Sequence, residues 1–402
     1  MHTTGARRKV RRSTFVVLIL VLIAALTADY VAAPSAAETA DPTPDPTPDP
    51  LISQLVSQVD STTLAGYVAD LSGERPVLIG GEPYTIETRY SYSEGIKKAT
   101  QYLYEHFDAL GLDTAFHEYV HSGLIWRNVE ATLPGLSDFD RIYIISAHAD
   151  STSRHPQIDA PGADDNGSGT AAVMVAADIF SRYQFAYTIR FVTFSGEEQG
   201  MLGSAAYAAR SRALGENIVG VLNLDMIGYD GQGGPDIDLH AGTDLDSLAL
   251  ASTFSETVGI YDLDLLPQII GQQALGRSDH GSFWDNDYPA ILAIEDYDPG
   301  IHDFNPCYHS PAACDDLLAY MNLEYFTTFT KAALSTLATL AEPVGESTPT
   351  ATPTVTATPL ATTTPTMTPT ASATPTATPP PEPAGFAAYL PLVHARRPHA
   401  QR

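Results

Sequence analysis

Few cysteines and few basic residues set the first limits on this sequence. Its 402 residues include only two cysteines, Cys307 and Cys314, which excludes a framework of several disulfides as the source of stability. Lysine and arginine together number 21 against 48 acidic residues, giving a formal net charge of −27. So acidic a chain is a poor partner for nucleic acid and for anionic membranes, and we expect it to bind neither.

The sequence also lacks a hydrophobic run long enough for a comfortable membrane span. Basic residues cluster at positions 7–12, an uncharged apolar run covers 14–26, and small residues follow at 31–33. This order predicts an export signal peptide over residues 1–33. A span needs about 20 apolar residues, so we expect no stable membrane insertion, although an uncleaved signal anchor is the alternative. The sequence therefore predicts a protein that is secreted or associated with the cell surface.

Two proline-rich segments flank the middle of the chain. Residues 34–50 include an Asp-Pro-Thr-Pro repeat, and residues 343–383 are mostly Thr, Pro and Ala. Neither composition can bury a core, so we predict two linkers, followed by a short tail over 384–402 that is too brief to fold alone. The intervening residues 51–342 suffice for one large α/β catalytic domain, which we expect to be monomeric.

The two cysteines lie close together in one local segment. Cys307 and Cys314 are seven positions apart. In an exported protein this spacing favours a single disulfide that closes a short loop, and two free thiols are the alternative.

The middle of the chain alternates between β-rich and helical patterns. Strands are predicted over 141–147, 187–194 and 218–224, with helices over 167–182 and 203–213 between them. The segment from Ser91 to Glu94 predicts a capping box before a helix that ends at Gly111. The alternation predicts a three-layer α/β sandwich whose central, mostly parallel twisted sheet is covered on both faces.

Acidic and imidazole side chains follow each of the three predicted strands. In such sheets the ligand site lies beyond the carboxyl ends of the strands. A glycine-rich turn between the first strand and its helix adds Asp164 and Asp165. A single acid there could simply cap a helix, but several at one sheet edge predict a metal site. The strand-end residues are His148, Asp150, Glu197, Glu198 and Asp225.

The donor types indicate which metal is expected. Imidazole nitrogen and carboxylate oxygen without thiolate suit zinc in a catalytic site. Asp165, on the loop facing the strand ends, is the natural bridge between two ions about 3.5–4 Å apart. Asp150 could accept a hydrogen bond from the second ring N–H of His148 and so orient it. The alternative is that Asp150 is simply an exposed acidic residue of the loop. The sequence does not decide whether a calcium ion binds in addition.

Six segments, taken in order, resemble the bacterial secreted dizinc leucyl aminopeptidases of metallopeptidase family 28. They are AHADS, GADDNGSG, SGEEQGMLGS, NLDMIG, GRSDHGSF and CYHS, and the resemblance spans residues 51–340. It implies a zinc-peptidase (phosphorylase/hydrolase-like) fold, two zinc ions, and peptide or protein N-termini as substrate.

The resemblance also implies a role for each site residue. One zinc is held by His148 and Asp225, and the other by Glu198 and His309, with Asp165 bridging them. Asp164 is then a neighbour rather than a ligand. The resemblance further implies that Glu197 is the general base and that Tyr308 donates a hydrogen bond to the developing oxyanion. It places Arg277 near the substrate backbone.

Two assignments near the C-terminal end of the domain remain open on residue type alone. His280 and His309 compete for the last ligand position, and the resemblance favours His309 because the matching position lies beside the cysteine loop. Asp315 could orient His309, or it could be an exposed helix cap.

Other activities fit part of the pattern. A carboxypeptidase or dipeptidase of related fold needs a basic cluster for a terminal carboxylate, and here only Arg277 is evident. A glutaminyl cyclase uses a similar fold with one zinc. A binding module on a stalk would have lost the residues that bind metal. Because these residues are all present here, the sequence argues against this alternative.

Overall fold

The computed structural model describes residues 47–231, 234–297 and 303–346. The predicted signal peptide, the C-terminal tail and most of both linkers lie outside these residues. The helices are α1 Pro50–Val56, α2 Ser61–Leu71, α3 Glu94–Ala109, α4 Gly167–Phe180, α5 Leu202–Leu214, α6 Leu245–Ile260, α7 His280–Trp284 and α8 Leu323–Ala341. The strands are β1 Val77–Ile79, β2 Glu82–Tyr84, β3 Asp113–His121, β4 Leu124–Leu133, β5 Asp138–His148, β6 Tyr183–Phe185, β7 Tyr187–Phe194, β8 Asn217–Leu224, β9 Asp236–His240, β10 Leu266–Ile270, β11 Ala290–Glu295 and β12 Pro343–Glu346.

Eight strands form one sheet in the order β10-β9-β11-β8-β5-β7-β4-β3. Its four central strands, β11, β8, β5 and β7, run parallel, whereas β4 joins β7 and β3 joins β4 antiparallel. At the other side β9 pairs antiparallel with β11 and parallel with β10. The sheet is therefore parallel at its centre, as predicted, and mixed at its margins.

Helices cover both faces of the sheet because side chains alternate along each central strand. In β5, Ile142 and Ile144 join a core cluster with residues of α5 and α7. Tyr143, Ile145 and Ala147 point the other way, into the larger cluster with α4 and α8. The result is the predicted three-layer arrangement.

The structure corrects some local predictions. Helix α3 begins at Glu94, but Ser93 caps it, with its Oγ accepting from the Ile96 amide at 3.4 Å. The predicted cap, Ser91, is unavailable because its hydroxyl donates to Asp150 instead. Residues 343–346, which the prediction assigned to the linker, form β12 and pair with β6. Within the described residues, no helix is both long and apolar enough to cross a bilayer.

Candidate metal centre

Strand register places the predicted ligands at one edge of the sheet. His148, the last residue of β5, pairs with Phe194, the last residue of β7. On the other side of β5, Ser146 pairs with Asn223 of β8, two residues before Asp225. The three strands therefore end side by side, and the residues that follow them meet in space.

The first group of possible metal ligands is His148, Asp165 and Asp225. The His148 Nε2 atom lies 3.2 Å from Asp165 Oδ1 and 3.3 Å from Asp225 Oδ1. All three residues are buried, and their ligand atoms lie within 4.8 Å of one another. The other Asp225 oxygen accepts a hydrogen bond from Ser278 Oγ at 2.6 Å, which fixes the carboxylate.

The second group is Asp165, Glu198 and His309. The His309 Nε2 atom lies 3.2 Å from Asp165 Oδ2 and 3.1 Å from Glu198 Oε2. These ligand atoms also lie within 4.8 Å of one another. Asp165 thus turns one carboxylate oxygen to each group, which is the geometry of a bridging ligand.

The donor chemistry fits zinc in both groups. Each offers one imidazole nitrogen and two carboxylates and no thiolate, a set typical of catalytic zinc. Glu198 Oε1 is buried yet has no hydrogen-bond partner among the described residues. Burial, together with the nearby Asp165 charge, raises the pKa of Glu198 to about 7, and a bound cation would offset both effects.

Burial raises the pKa of Glu197 well above its usual range, and the neighbouring carboxylates Asp225, Asp279 and Glu198 raise it further. Glu197 belongs to neither group of possible ligands. At Asp165, by contrast, hydrogen bonds with His148 and His309 outweigh burial and lower the pKa. The acids at this edge therefore differ strongly in how readily they hold a proton.

The Asp150 carboxylate positions the two glutamates. It accepts hydrogen bonds from the amides of Glu197 at 3.1 Å and Glu198 at 3.3 Å, and from Ser91 Oγ at 2.9 Å. This corrects the predicted contact with His148, whose Nδ1 lies 3.0 Å from the Asp150 backbone oxygen and 3.8 Å from its carboxylate. Asp150 therefore orients His148 through the main chain.

The glutamate loop also needs a glycine. Gly196 precedes Glu197 with φ +75°, and a Cβ there would lie 2.8 Å from Trp126 Cζ3 and 2.9 Å from the Tyr119 hydroxyl. Only glycine fits both the left-handed backbone and this close approach.

The sequence comparisons agree with this geometry. The model of Peptidase family M28 matches residues 128–337. The chain belongs to this family. A curated relative from Trichophyton verrucosum (strain HKI 0517), called a probable leucine aminopeptidase, is 28% identical over 292 residues, which cover 70% of this chain and 76% of the relative. Membership confirms the resemblance to metallopeptidase family 28, while the bacterial origin, secretion and the two zinc ions stay predictions.

Solved structures share the fold of this M28 chain. A zinc aminopeptidase from Bacillus subtilis superposes with a TM-score of 0.57 at 15% identity, covering 70% of this chain and 95% of that one. The glutaminyl cyclase of Porphyromonas gingivalis superposes with a TM-score of 0.55 at 16% identity, covering 70% of this chain and 99% of that one. Identities this low show the fold alone, and they confirm the predicted fold class.

The loop that carries His309 is closed by the predicted disulfide between Cys307 and Cys314. The backbone of His309 is left-handed, with φ 59°, and its ring stacks on that of Tyr308 at 3.7 Å between centroids. Burial and the carboxylates of the site raise the pKa of Tyr308, so its hydroxyl stays protonated and can donate.

Asp316, which follows Asp315, anchors this loop to the site. Its carboxylate accepts the amide hydrogens of Asp164 at 3.1 Å and Asp165 at 2.9 Å, and its own amide donates to Ser310 Oγ at 3.0 Å. Asp315 is only partly buried and, among the described contacts, makes none with His309. Burial and the charge of Asp315 raise the pKa of Asp159.

The other predicted residues also have defined places. His280 is buried at the start of α7, with its Nε2 2.9 Å from the Leu275 carbonyl oxygen, and it belongs to neither group. Arg277 is exposed and lines the cavity beside the ligands. Asp164 accepts from the Gly228 amide and from Asn305 instead of joining either group.

Sequence reasoning missed one fully buried cation, Arg89. Its guanidinium donates to the carbonyl oxygens of Ala149, Leu71, Pro161 and Gly162 at 2.6–2.8 Å. These bonds fasten the segment after β5 that leads to Asp165. No local motif surrounds Arg89, so the sequence gives no signal for this role.

Proposed function

We propose that the protein is a secreted aminopeptidase that uses two zinc ions to hydrolyse the first peptide bond of its substrates. The observation that carries this proposal is the position of Asp165, which lies between two imidazoles and turns one oxygen to each. The first zinc would be held by His148, Asp225 and Asp165. The second would be held by Glu198, His309 and Asp165. A shared carboxylate is the arrangement expected of a co-catalytic pair.

Bound zinc would supply Lewis acidity, which polarises a carbonyl and lowers the pKa of a water molecule. Glu197 is the general base in this proposal, because it lines the cavity beside the ligands yet belongs to neither group. It takes a proton from the attacking water and delivers it to the amine nitrogen as the carbon–nitrogen bond breaks. The Tyr308 hydroxyl donates to the oxygen that gains negative charge.

Action at a free N-terminus follows from the charges that surround the ligands. The cavity is lined by the carboxylates of Asp165, Glu197 and Asp225, which can receive an ammonium group. A terminal carboxylate would find no basic cluster there, because the only arginine of the lining is the exposed Arg277. This charge pattern favours an aminopeptidase over a carboxypeptidase. Two complete groups of ligands, rather than one, favour it over a glutaminyl cyclase with a single zinc.

Metal content and product analysis test the proposal. We expect about two zinc ions per chain in the purified protein and release of free leucine from leucyl peptides. N-acetylated leucyl peptides should be inert because they carry no ammonium. Turnover of blocked peptides at an equal rate would instead indicate an endopeptidase. Loss of ammonia from N-terminal glutamine without cleavage, detected by mass spectrometry, would indicate a cyclase.

A further inference from the structure

A large groove lies between the β3–β4 hairpin and the start of α3. Its volume is about 680 Å³. Four consecutive residues of β4 line it, namely Leu124, Ile125, Trp126 and Arg127. Successive side chains of a strand point to opposite faces of the sheet. A groove that is lined by all four residues therefore runs along the edge of the strand and not over one face.

This edge of β4 is free beyond the end of β7. Strand β7 ends at Phe194, and Val129 is the first residue of β4 that pairs with it. On its other side, β4 stays paired with β3 as far as Leu124, beside the hairpin turn. Residues 124–128 therefore have a neighbouring strand on one side only.

The hairpin turn determines which main-chain groups face the groove. Residues 122–123 form a two-residue turn with φ values of 50° and 77°, so His121 and Leu124 are a hydrogen-bonded pair. Hydrogen-bonded and non-hydrogen-bonded pairs alternate along an antiparallel ladder. The N–H and C=O groups of Ile125 and Arg127 therefore point away from β3. Within the part of the chain that the structure describes, no other segment forms a backbone hydrogen bond with either residue.

The groove adjoins the loop that carries Glu197. Ser195, two residues before Glu197, lines the groove. The Trp126 ring packs on Gly196, since a Cβ there would lie 2.8 Å from the Trp126 Cζ3 atom. Ser91 also lines the groove, and its hydroxyl accepts the Gly196 amide hydrogen at 3.0 Å. The groove is thus continuous with the loop from which Glu197, in the proposed mechanism, delivers a proton to the leaving amine.

The groove and the cavity beside the ligands lie on opposite sides of the metal centre. The cavity is lined by residues of β9 and β11, whereas the groove is lined by residues of β4. Strands β8, β5 and β7, which lead to the ligands, lie between them in the sheet. A peptide whose first side chain occupies the cavity would therefore extend across the ligands toward the groove.

We propose that the substrate segment beyond the cleaved bond binds in this groove as an extended strand, hydrogen-bonded to the main chain of Ile125 and Arg127. This inference rests on the proposed aminopeptidase function. The segment runs outward from the ligands and β4 runs inward from the turn, so the two pair antiparallel and the substrate continues the direction of β7. Leu124 and Ile125, which are 50% and 65% exposed, are free to contact its side chains.

Main-chain pairing makes peptide length the property that the groove recognises. Hydrogen bonds to an exposed strand edge supply affinity for an extended peptide with little regard to its sequence. Each neutral hydrogen bond should change kcat/KM by roughly 3- to 10-fold. We therefore expect a tetrapeptide to be hydrolysed more efficiently than a dipeptide with the same first two residues.

Ile125→Pro tests the pairing directly in the zinc-loaded full chain. Proline removes the N–H that faces the groove and leaves the ladder with β3 intact, because that N–H is not part of the ladder. The substrates are C-terminally amidated Leu-Ala-Ala-Ala and leucine 4-nitroanilide, which has no residue beyond the cleaved bond. The ratio of kcat/KM for the tetrapeptide to that for the nitroanilide should fall by roughly 3- to 10-fold.

Val120→Pro is the matched control. Val120 lies opposite Ile125 in the ladder, so its N–H points outward at the other edge of the same hairpin. Val120 is 74% exposed and does not line the groove, so its variant should keep the wild-type ratio. Ile125→Ala keeps the N–H and should lower the ratio less than Ile125→Pro does. An equal fall in both Ile125 variants would overturn the main-chain pairing.

A length series with wild type gives a measurement that needs no variant. From amidated Leu-Ala to amidated Leu-Ala-Ala-Ala, kcat/KM should rise by roughly 3-fold or more. N-methylation of the last two alanines removes donors from the substrate and should abolish the rise. If Ile125→Pro does not fold, this series and its N-methylated peptides decide.

The outcomes separate this inference from the proposed function. Release of no leucine from the nitroanilide or from any peptide would overturn the aminopeptidase function itself. Hydrolysis without a rise over the length series would overturn only the role of the groove. A folded Ile125→Pro with the wild-type ratio would do the same.

Discussion

Two adjacent glutamates of identical chemistry have different surroundings. Glu198 Oε2 lies 3.1 Å from His309 Nε2 within a group of possible ligands, whereas Glu197 belongs to neither group. Glu197→Gln should therefore keep the metal content of wild type and lower kcat by roughly 10²–10⁴-fold. Glu198→Gln should lose zinc and regain part of its activity at high zinc concentration.

Zinc content and kinetics, measured on the same preparations, check this pair of predictions. Each variant serves as the control for the other, because both replace a glutamate of the same loop by its amide. Equal zinc stoichiometry and equal recovery with added zinc in the two variants would contradict the division of roles between base and ligand.

A buried histidine far along the chain from the ligands gives a prediction about pH. Burial and nearby Arg210 lower the pKa of His117 from 6.5 to about 4. The unfolded chain therefore binds a proton at this residue at a higher pH than the folded chain does. The stability that neutral His117 provides is complete above pH 6.5 and is lost as the pH falls toward 4.

His117→Leu lacks this titration. The free energy of unfolding of wild type minus that of the variant should fall by about 1.4 kcal/mol per pH unit below pH 6.5. Denaturant unfolding of both proteins from about pH 7 to about pH 5 measures it, and taking the difference removes the titration of the distant carboxylates. A difference that does not vary with pH would show that His117 titrates normally in the fold.

At the scale of elements, the site depends on connections between loops. The Asp316 carboxylate holds the segment before α4, and its main chain holds the disulfide loop through Ser310. In Asp316→Asn the new NH2 group would face a donor in either orientation, the Asn305 amide group on one side or the Asp165 backbone amide on the other. We expect a loss of about 1–3 kcal/mol in the free energy of unfolding and weaker zinc retention, because bridging Asp165 loses its support.

The neighbouring acid provides the matched control for this prediction. Asp315 is only partly buried, so Asp315→Asn should leave thermal stability and zinc retention near those of wild type. Thermal melts and dialysis against a chelator compare the two variants. Equal effects in both would mean that the Asp316 hydrogen bonds do not support the site.

These connections also explain how far the sequence could predict the structure. The central strands follow from their apolar patterns, and the ligands from their positions at the strand ends. The Ser91 hydroxyl could not be assigned this way, since its partner Asp150 lies 59 positions away and the local S-x-x-E pattern points to a helix cap. Asp316 was likewise beyond prediction, because its role depends on contacts formed only in the folded chain.

At the scale of the whole molecule, the family resemblance identified a metal ligand that residue types alone did not. Donor types alone left His280 and His309 as competitors, and the resemblance favoured His309, which the fold brings to Glu198. The sheet margins were not predicted: the reversal between β9 and β11 depends on the long connections that flank them. His240 ends β9 and the loop of Tyr308 follows β11, so this least predictable part of the sheet forms one side of the cavity.

The two ends of the described fold are fastened to each other. Helix α1 follows the first linker, and its Gln54 donates to Tyr183 of β6 and to Glu346 of β12, the last described residue. Strand β12 itself pairs only with β6, in a sheet separate from the eight-stranded one. Tension applied between the two ends would therefore load this small ladder first and peel it open. The strands that carry the metal ligands lie in the eight-stranded sheet, outside this ladder.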